Sequence, residues 1–133
     1  MPVLDASVVV DSLVVSGPAG DLGRDEMRKL GELQVPAIFT AEVTSALRGL
    51  VRGRALSSIR AATALTQLLS IKTISYPFEP FARRAWELRD SLTVYEAWSV
   101  ALAERLDTEL ITADRRLAKA RGARCPIRHL NPG

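Results

Sequence analysis

Four acids, Asp5, Glu42, Glu96 and Asp114, stand where short apolar runs end or helical patterns begin. Asp5 closes Val3-Leu4 and Asp114 closes Leu110-Ile111-Thr112-Ala113, both of which read as strands, while Glu42 and Glu96 open helices. In α/β proteins that rim of the sheet is where ligand sites are built. Carboxylates that converge there repel one another, so some take up protons or all share a cation, and oxygen ligands attract hard divalent ions. A carboxylate-lined metal pocket is a site for cutting phosphodiesters.

Each acid also has a plainer duty. Asp5 and Asp114 are placed as ordinary helix caps, Asp114 just before Arg115-Arg116-Leu117. Glu42, in the first turn after Thr40, complements the positive end of its helix. Thr93 and Glu96 have the S/T-x-x-E spacing of a capping box, in which the glutamate reaches back to the cap amide. Taken singly, these duties explain the four residues without any active site.

Inventory removes other chemistries. With one cysteine, Cys125, and one histidine, His129, no structural zinc site of three or four such ligands can be built. No G-x-S-x-G elbow presents a serine, and no G-x-x-x-x-G-K-[ST] or G-x-G-x-x-G loop cradles a phosphate. A phosphotransferase using Asp5 as nucleophile would want a second aspartate two residues on, where Ser7 stands. Carboxylates remain.

The elements that must position them alternate along the chain. Strands are expected at Pro2 to Asp5, Val35 to Ile38, Ile71 to Ser75, Glu109 to Thr112 and Ile127 to His129. Between them, helical spacing predicts helices over Ser7 to Val15, Leu22 to Leu33, Ala41 to a stop at Gly53, Leu56 to Leu69, Pro80 to Arg89, Val94 to Leu106 and Arg115 to Arg121. Strands separated by helices imply a short parallel sheet with right-handed crossovers and helices on both faces. At 133 residues, with 47% hydrophobic and 25% charged, the chain fits one α/β domain spanning 1-133. Tyr95 and Trp98 lie three apart on one helix; they could stack an unpaired base, but the reading preferred here is core, as it is for Trp86.

The apolar stretches Val8-Val9-Val10 and Leu13-Val14-Val15 lack a basic leader and are interrupted by Asp5 and Asp11, which argues against export or membrane insertion and for the cytoplasm. A single cysteine agrees with a reducing compartment. Net charge is +3, and of 18 basic residues all but Lys29, Lys72 and Lys119 are arginine. Arg48, Arg52 and Arg54, and Arg115, Arg116, Lys119 and Arg121 beside Asp114, are candidates to hold a phosphate backbone.

Considered together, the acids and their flanks resemble the four motifs of PIN-domain nucleases, in particular the VapC-type toxins of prokaryotic toxin-antitoxin pairs. Val3-Leu4-Asp5-Ala6-Ser7 is similar to their opening, and Pro36 to Glu42 followed by Val43-Thr44-Ser45-Ala46-Leu47-Arg48 to their second motif. Leu92 to Ala97 with Val100 to Glu104 resembles the third, and Leu110 to Ala118 the fourth. Two departures stand out: Glu96 replaces the usual aspartate, and Arg115-Arg116 fill a stretch where some relatives carry another acid.

The resemblance implies a PIN-like three-layer sandwich and a metal-dependent endoribonuclease with Asp5, Glu42, Glu96 and Asp114 as the catalytic set. One or two Mg²⁺ or Mn²⁺ ions are expected, with Asp5 and Asp114 as direct ligands, being short and at strand ends. It also implies an RNA substrate, a cognate antitoxin that wraps the toxin and places a basic side chain in the acidic pocket, and a homodimer. Apolar surface on the helices from Ser7 to Val15 and Ala41 to Leu69 would form the groove for such a partner. The competing reading is a non-catalytic binding module in which the acids only cap helices.

Overall fold

The computed structural model describes residues 1–131. Five short strands alternate with helices: β1 (Val3–Leu4), α1 (Ala6–Val14), α2 (Pro18–Lys29), β2 (Leu33–Pro36), α3 (Phe39–Arg52), α4 (Ser58–Ser70), β3 (Thr73–Tyr76), α5 (Ala82–Glu87, entered through a 3₁₀ turn at Glu79–Phe81), α6 (Val94–Arg105), β4 (Leu110–Thr112), α7 (Arg115–Ala118) and β5 (Ile127–His129). Every ladder is parallel, as the helical crossovers require. The expected single sheet is drawn as two hydrogen-bonded groups, β1-β4-β5 and β2-β3, with β1 lying against β2 between them.

The two-residue period of the strands divides the core. Val3 and Leu110 face one side, where they pack with Leu88, Trp98, Val100 and Leu102 of the α5–α6 layer. Leu4 and Ile111 face the other, against Val8, Val9, Phe39 and Val43 of the α1–α3 layer. The result is the three-layer sandwich expected, helices on both faces. From Ala97 to Ala103 every residue of α6 is buried, a run in which three alanines and Ser99 let the helix be enclosed on all sides.

Most element boundaries shift by a few residues for identifiable reasons. The helix expected from Leu22 to Leu33 begins instead at Pro18, whose fixed φ suits a first helical position, and ends at Lys29; Leu33 opens β2. Ile38, expected in a strand, is the residue before α3. Ser57 caps α4 by accepting the Arg60 N–H, and Ile71, expected to begin a strand, ends that helix, so β3 starts at Thr73. The helix expected from Arg115 to Arg121 is one turn long.

Helix α2 braces α1 from behind at very short range. A Cβ built on Gly20 would stand 1.8 Å from the Val15 carbonyl oxygen, and one on Gly23 2.9 Å from that of Val8. Only glycine permits this approach. Among the described residues no helix is long and apolar enough to cross a membrane.

Candidate active site

The carboxyl ends of β1 and β4 lie side by side, with the Asp5 N–H still donating to the Ile111 carbonyl at 2.8 Å, so Asp5 and Asp114 leave the sheet as neighbours. Two hydroxyls tie the pair together. Ser7 Oγ donates to Asp5 Oδ2 at 2.5 Å and accepts the Ala113 N–H at 3.0 Å. The fully buried Thr112 donates through Oγ1 to the same Asp5 oxygen at 3.0 Å and accepts the Asp114 N–H at 3.0 Å. Asp5 occupies the cap position of α1 but its carboxylate makes no cap hydrogen bond. Its side chain is held by two hydroxyls, Ser7 of its own helix and Thr112 of the neighbouring strand, rather than by that helix's backbone amides.

Glu96 and Asp114 do serve as caps. The Thr93–Glu96 capping box is closed in both directions, Thr93 N–H to Glu96 Oε1 at 2.9 Å and Glu96 N–H to Thr93 Oγ1 at 3.1 Å. Asp114 Oδ1 accepts the Arg116 N–H at 2.8 Å and the Leu117 N–H at 3.4 Å. In each carboxylate one oxygen is used by the cap and the other faces Arg116, whose guanidinium donates to Glu96 Oε2 and lies 3.5 Å from Asp114 Oδ2. The hydrogen bond to Glu96 raises the Arg116 pKa further, and the charges of Asp114 and Asp5 add to it.

Glu42, in the first turn of α3, has no such partner among the described residues. Burial lifts its carboxyl to about 7, and the negative charges of Asp5 and then Glu96 push in the same direction. That response brings Asp5, Glu42 and Glu96 into one electrostatic neighbourhood, and Arg116 joins Glu96 to Asp114. All four acids therefore lie at one rim within electrostatic reach of a neighbour in the set.

The fit to a divalent ion has two sides. The donors are all carboxylate and hydroxyl oxygens with surplus negative charge, which suits a hard cation. In the spacing observed, no group of three or more His, Cys, Asp or Glu among the described residues is arranged to hold an ion together. Arg116 supplies the positive charge there instead. It was expected only as part of a basic run, and nothing in the Asp114-Arg115-Arg116 string signals that its side chain crosses to α6.

The PIN domain family model matches residues 3–123. The chain belongs to the PIN-domain family, in its VapC-type branch. It is 38% identical over 128 residues to Ribonuclease VapC12 of Mycobacterium tuberculosis, covering 96% of this chain and 97% of that protein. Ribonucleases VapC9 and VapC1 of the same organism are 36% and 37% identical over 127 residues, each covering 95% or more of both chains. Among solved structures, PAE2754 from Pyrobaculum aerophilum shares the PIN-domain fold with a TM-score of 0.68 at 23% identity, covering 94% of this chain and 81% of that one. FitAcB from Neisseria gonorrhoeae does so with a TM-score of 0.65 at 18% identity, covering 99% and 98%.

The aromatic residues around this PIN-domain site need correction. Trp98 is core, 6% exposed and packed edge-on against Phe78 at 5.1 Å. Tyr95 and Trp86 are not: they are 54% and 64% exposed. The three-residue spacing of Tyr95 and Trp98 puts them on adjacent but not identical faces of α6, and Tyr95, in the first turn, lies beyond the layer that covers Trp98. Trp86 is on the outside of α5, beneath the Arg89 guanidinium at 4.4 Å.

Proposed function

We propose that the chain is a metal-dependent endoribonuclease, the toxin of a toxin-antitoxin pair, hydrolysing RNA phosphodiester bonds at Asp5, Glu42, Glu96 and Asp114. The observation that carries this reading is the rim itself: Asp5 and Asp114 leave adjacent strands joined through Ser7 and Thr112, and Glu42 stands close enough to Asp5 and Glu96 that burial and their charges push its carboxyl up to about 7, a crowding that a cation would relieve. Relatives over nearly the whole chain are named ribonucleases, which supports the same reaction here. Asp5 and Asp114 would hold Mg²⁺ or Mn²⁺ directly, with Glu42 and Glu96 orienting water or recruiting a second ion. An ion held there would supply Lewis acidity to a phosphoryl oxygen and would lower the pKa of a bound water. The chain's own contribution is positional: Ser7 and Thr112 fix Asp5, while the caps fix Glu96 and Asp114. For Asp114 to reach an ion, Arg116 must release its second oxygen.

A cognate antitoxin is the inhibitor this reading implies, with an arginine or lysine entering the acidic rim as Arg116 does. A groove of about 290 Å³ between α3 and α4, walled by Leu47, Val51, Ala61 and Leu65 and edged by Arg48 and Arg52, suits an amphipathic partner segment. A homodimer is part of the same proposal.

Incubating the protein with total RNA and Mn²⁺, with and without a chelator, tests the activity. Cleavage that the chelator does not suppress would refute metal dependence, and no cleavage at all would refute the nuclease. The closed capping box at Glu96 and the cap at Asp114 favour one rival, a binding module whose acids act independently. A shared ion site raises the melting temperature as Mn²⁺ is added, whereas independent caps do not respond.

A further inference from the structure

We propose that Tyr95 and the hollow beside Glu42 form a subsite for one unpaired nucleobase of the RNA, immediately next to the four acids. The inference rests on the nuclease reading and adds its substrate class: RNA whose base at the cut is free to leave a stack. The hollow measures about 180 Å³ and is lined by Ile38, Ala41, Glu42, Ser45 and Tyr95. Glu42 belongs to both this hollow and the acidic rim, and Tyr95 directly precedes Glu96 on α6. Whatever occupies the hollow therefore lies beside the reacting centre.

Neither packing nor hydrogen bonding accounts for Tyr95. Its ring is more than half exposed, pairs with no other aromatic ring among the described residues, and its hydroxyl has no hydrogen-bond partner there. Trp98, one turn on, fills the packing role at this end of α6. What remains is an exposed aromatic ring lining a mainly apolar hollow to which Ile38, Ala41 and the polar Ser45 also contribute. A nucleobase matches that combination, since every base offers a flat π-face for stacking and polar atoms along its edge. A base inside a duplex cannot enter, because its faces are already covered by its neighbours.

The test uses a short single-stranded RNA carrying 2-aminopurine at successive positions, bound to the Asp5→Asn protein so that no cleavage occurs. At one position its emission should be quenched on binding, and quenched equally with Tyr95→Phe, because the hydroxyl is not used. Tyr95→Ala should restore the emission and weaken binding about 5- to 150-fold, the range that loss of one stacking partner produces. In the cleavage-competent protein the same change should raise KM by a comparable factor and leave kcat nearly unchanged. Equal affinity and equal KM in the Tyr95→Ala protein, with total RNA still cut, would remove the base subsite while leaving the nuclease standing. Absence of any RNA binding by the parent protein would remove both.

Discussion

The two ends of this parallel sheet each gather acids and arginines, and they treat them oppositely. Where the strands begin, Arg84 grips both oxygens of Glu104, at 2.7 Å and 3.0 Å, and also donates to Glu87 at 3.1 Å and the Gly122 carbonyl at 2.7 Å. Burial alone would raise the Glu104 carboxyl, but these bonds and the Arg124 N–H outweigh it and hold the pKa below the usual range. Where the strands end, Glu42 is half-buried without a cation partner among the described residues and its pKa climbs instead. A satisfied pair stabilises the fold; an unsatisfied carboxylate stores the potential to bind something. A cavity of about 720 Å³, larger than the hollow beside Glu42, is at the satisfied end, lined by Arg84, Glu104, Arg105, Arg124 and Cys125, away from the four acids. There the half-buried Cys125 thiol is pushed to about 11, chiefly by burial, which makes it unreactive. Cavity size and chemistry do not coincide here.

The contrast can be broken first at the acidic end. As a hypothesis motivated by their adjacency across β1 and β4, Asp5→Asn and Asp114→Asn should each reduce Mn²⁺-dependent RNA cleavage by more than about 100-fold, the upper end of what loss of an outer-layer metal partner costs. Circular dichroism should show the fold retained, and undiminished cleavage in either variant would sink the assignment. At the other end, Arg84→Leu should lower the unfolding free energy by about 2 kcal/mol, between the values for exposed and buried pairs, because Glu104 keeps its charge without its main partner. Cleavage per folded molecule should not change. A denaturant series paired with an activity assay checks both halves, and an activity loss larger than the loss of folded protein would erase the distinction between the ends.

The Glu42 prediction concerns pH. Its folded pKa, about 7, is above that of the unfolded chain, so the folded protein holds this proton more tightly. Stability from Glu42 is fully present below the unfolded value and is lost as pH rises to 7. Because the group is half exposed, solvent screening limits the loss to about 1 kcal/mol in metal-free protein. Glu42→Gln should flatten that slope in melting curves taken with a chelator; an unchanged slope would show that the charge is already balanced. The smallest effect is expected for Arg116→Ala. Removing the resident cation should tighten Mn²⁺ binding several-fold, seen as a larger metal-induced rise in melting temperature, and weaker binding would mean that Arg116 assists rather than competes.

The sequence exposed the alternating fold well, because Val3-Leu4 and Leu110-Ile111 divide between two cores and their period is visible in the residues themselves. The placement of the four acids at strand ends and first helical turns is also a local feature, but that placement alone reads as helix capping; only the joint resemblance to the PIN-domain motifs sets them apart. Long-range side-chain choices were not legible in this way. The Thr112 hydroxyl can be placed near the acids from its position beside Asp114, but that it holds Asp5, 107 positions away, depends on the pairing of β1 with β4. Arg116 looked like one of several basic surface residues, and its reach to Glu96 depends on how α7 packs beside α6. Tyr95 was expected in the core because helical spacing reports a face but not how far along the helix the covering layer extends.

Gly20 gives one consequence of the bracing between the first two helices. It is in α2, with its α-carbon so close to the Val15 carbonyl that a single methyl group has no room. The helix it presses against begins with Ala6, directly after Asp5, and contains the Ser7 hydroxyl that holds that aspartate. Enlarging Gly20 would therefore displace the far end of a nine-residue lever whose near end carries the first acid. Activity would be controlled from the rear of the molecule, by a residue with no charge and no side chain.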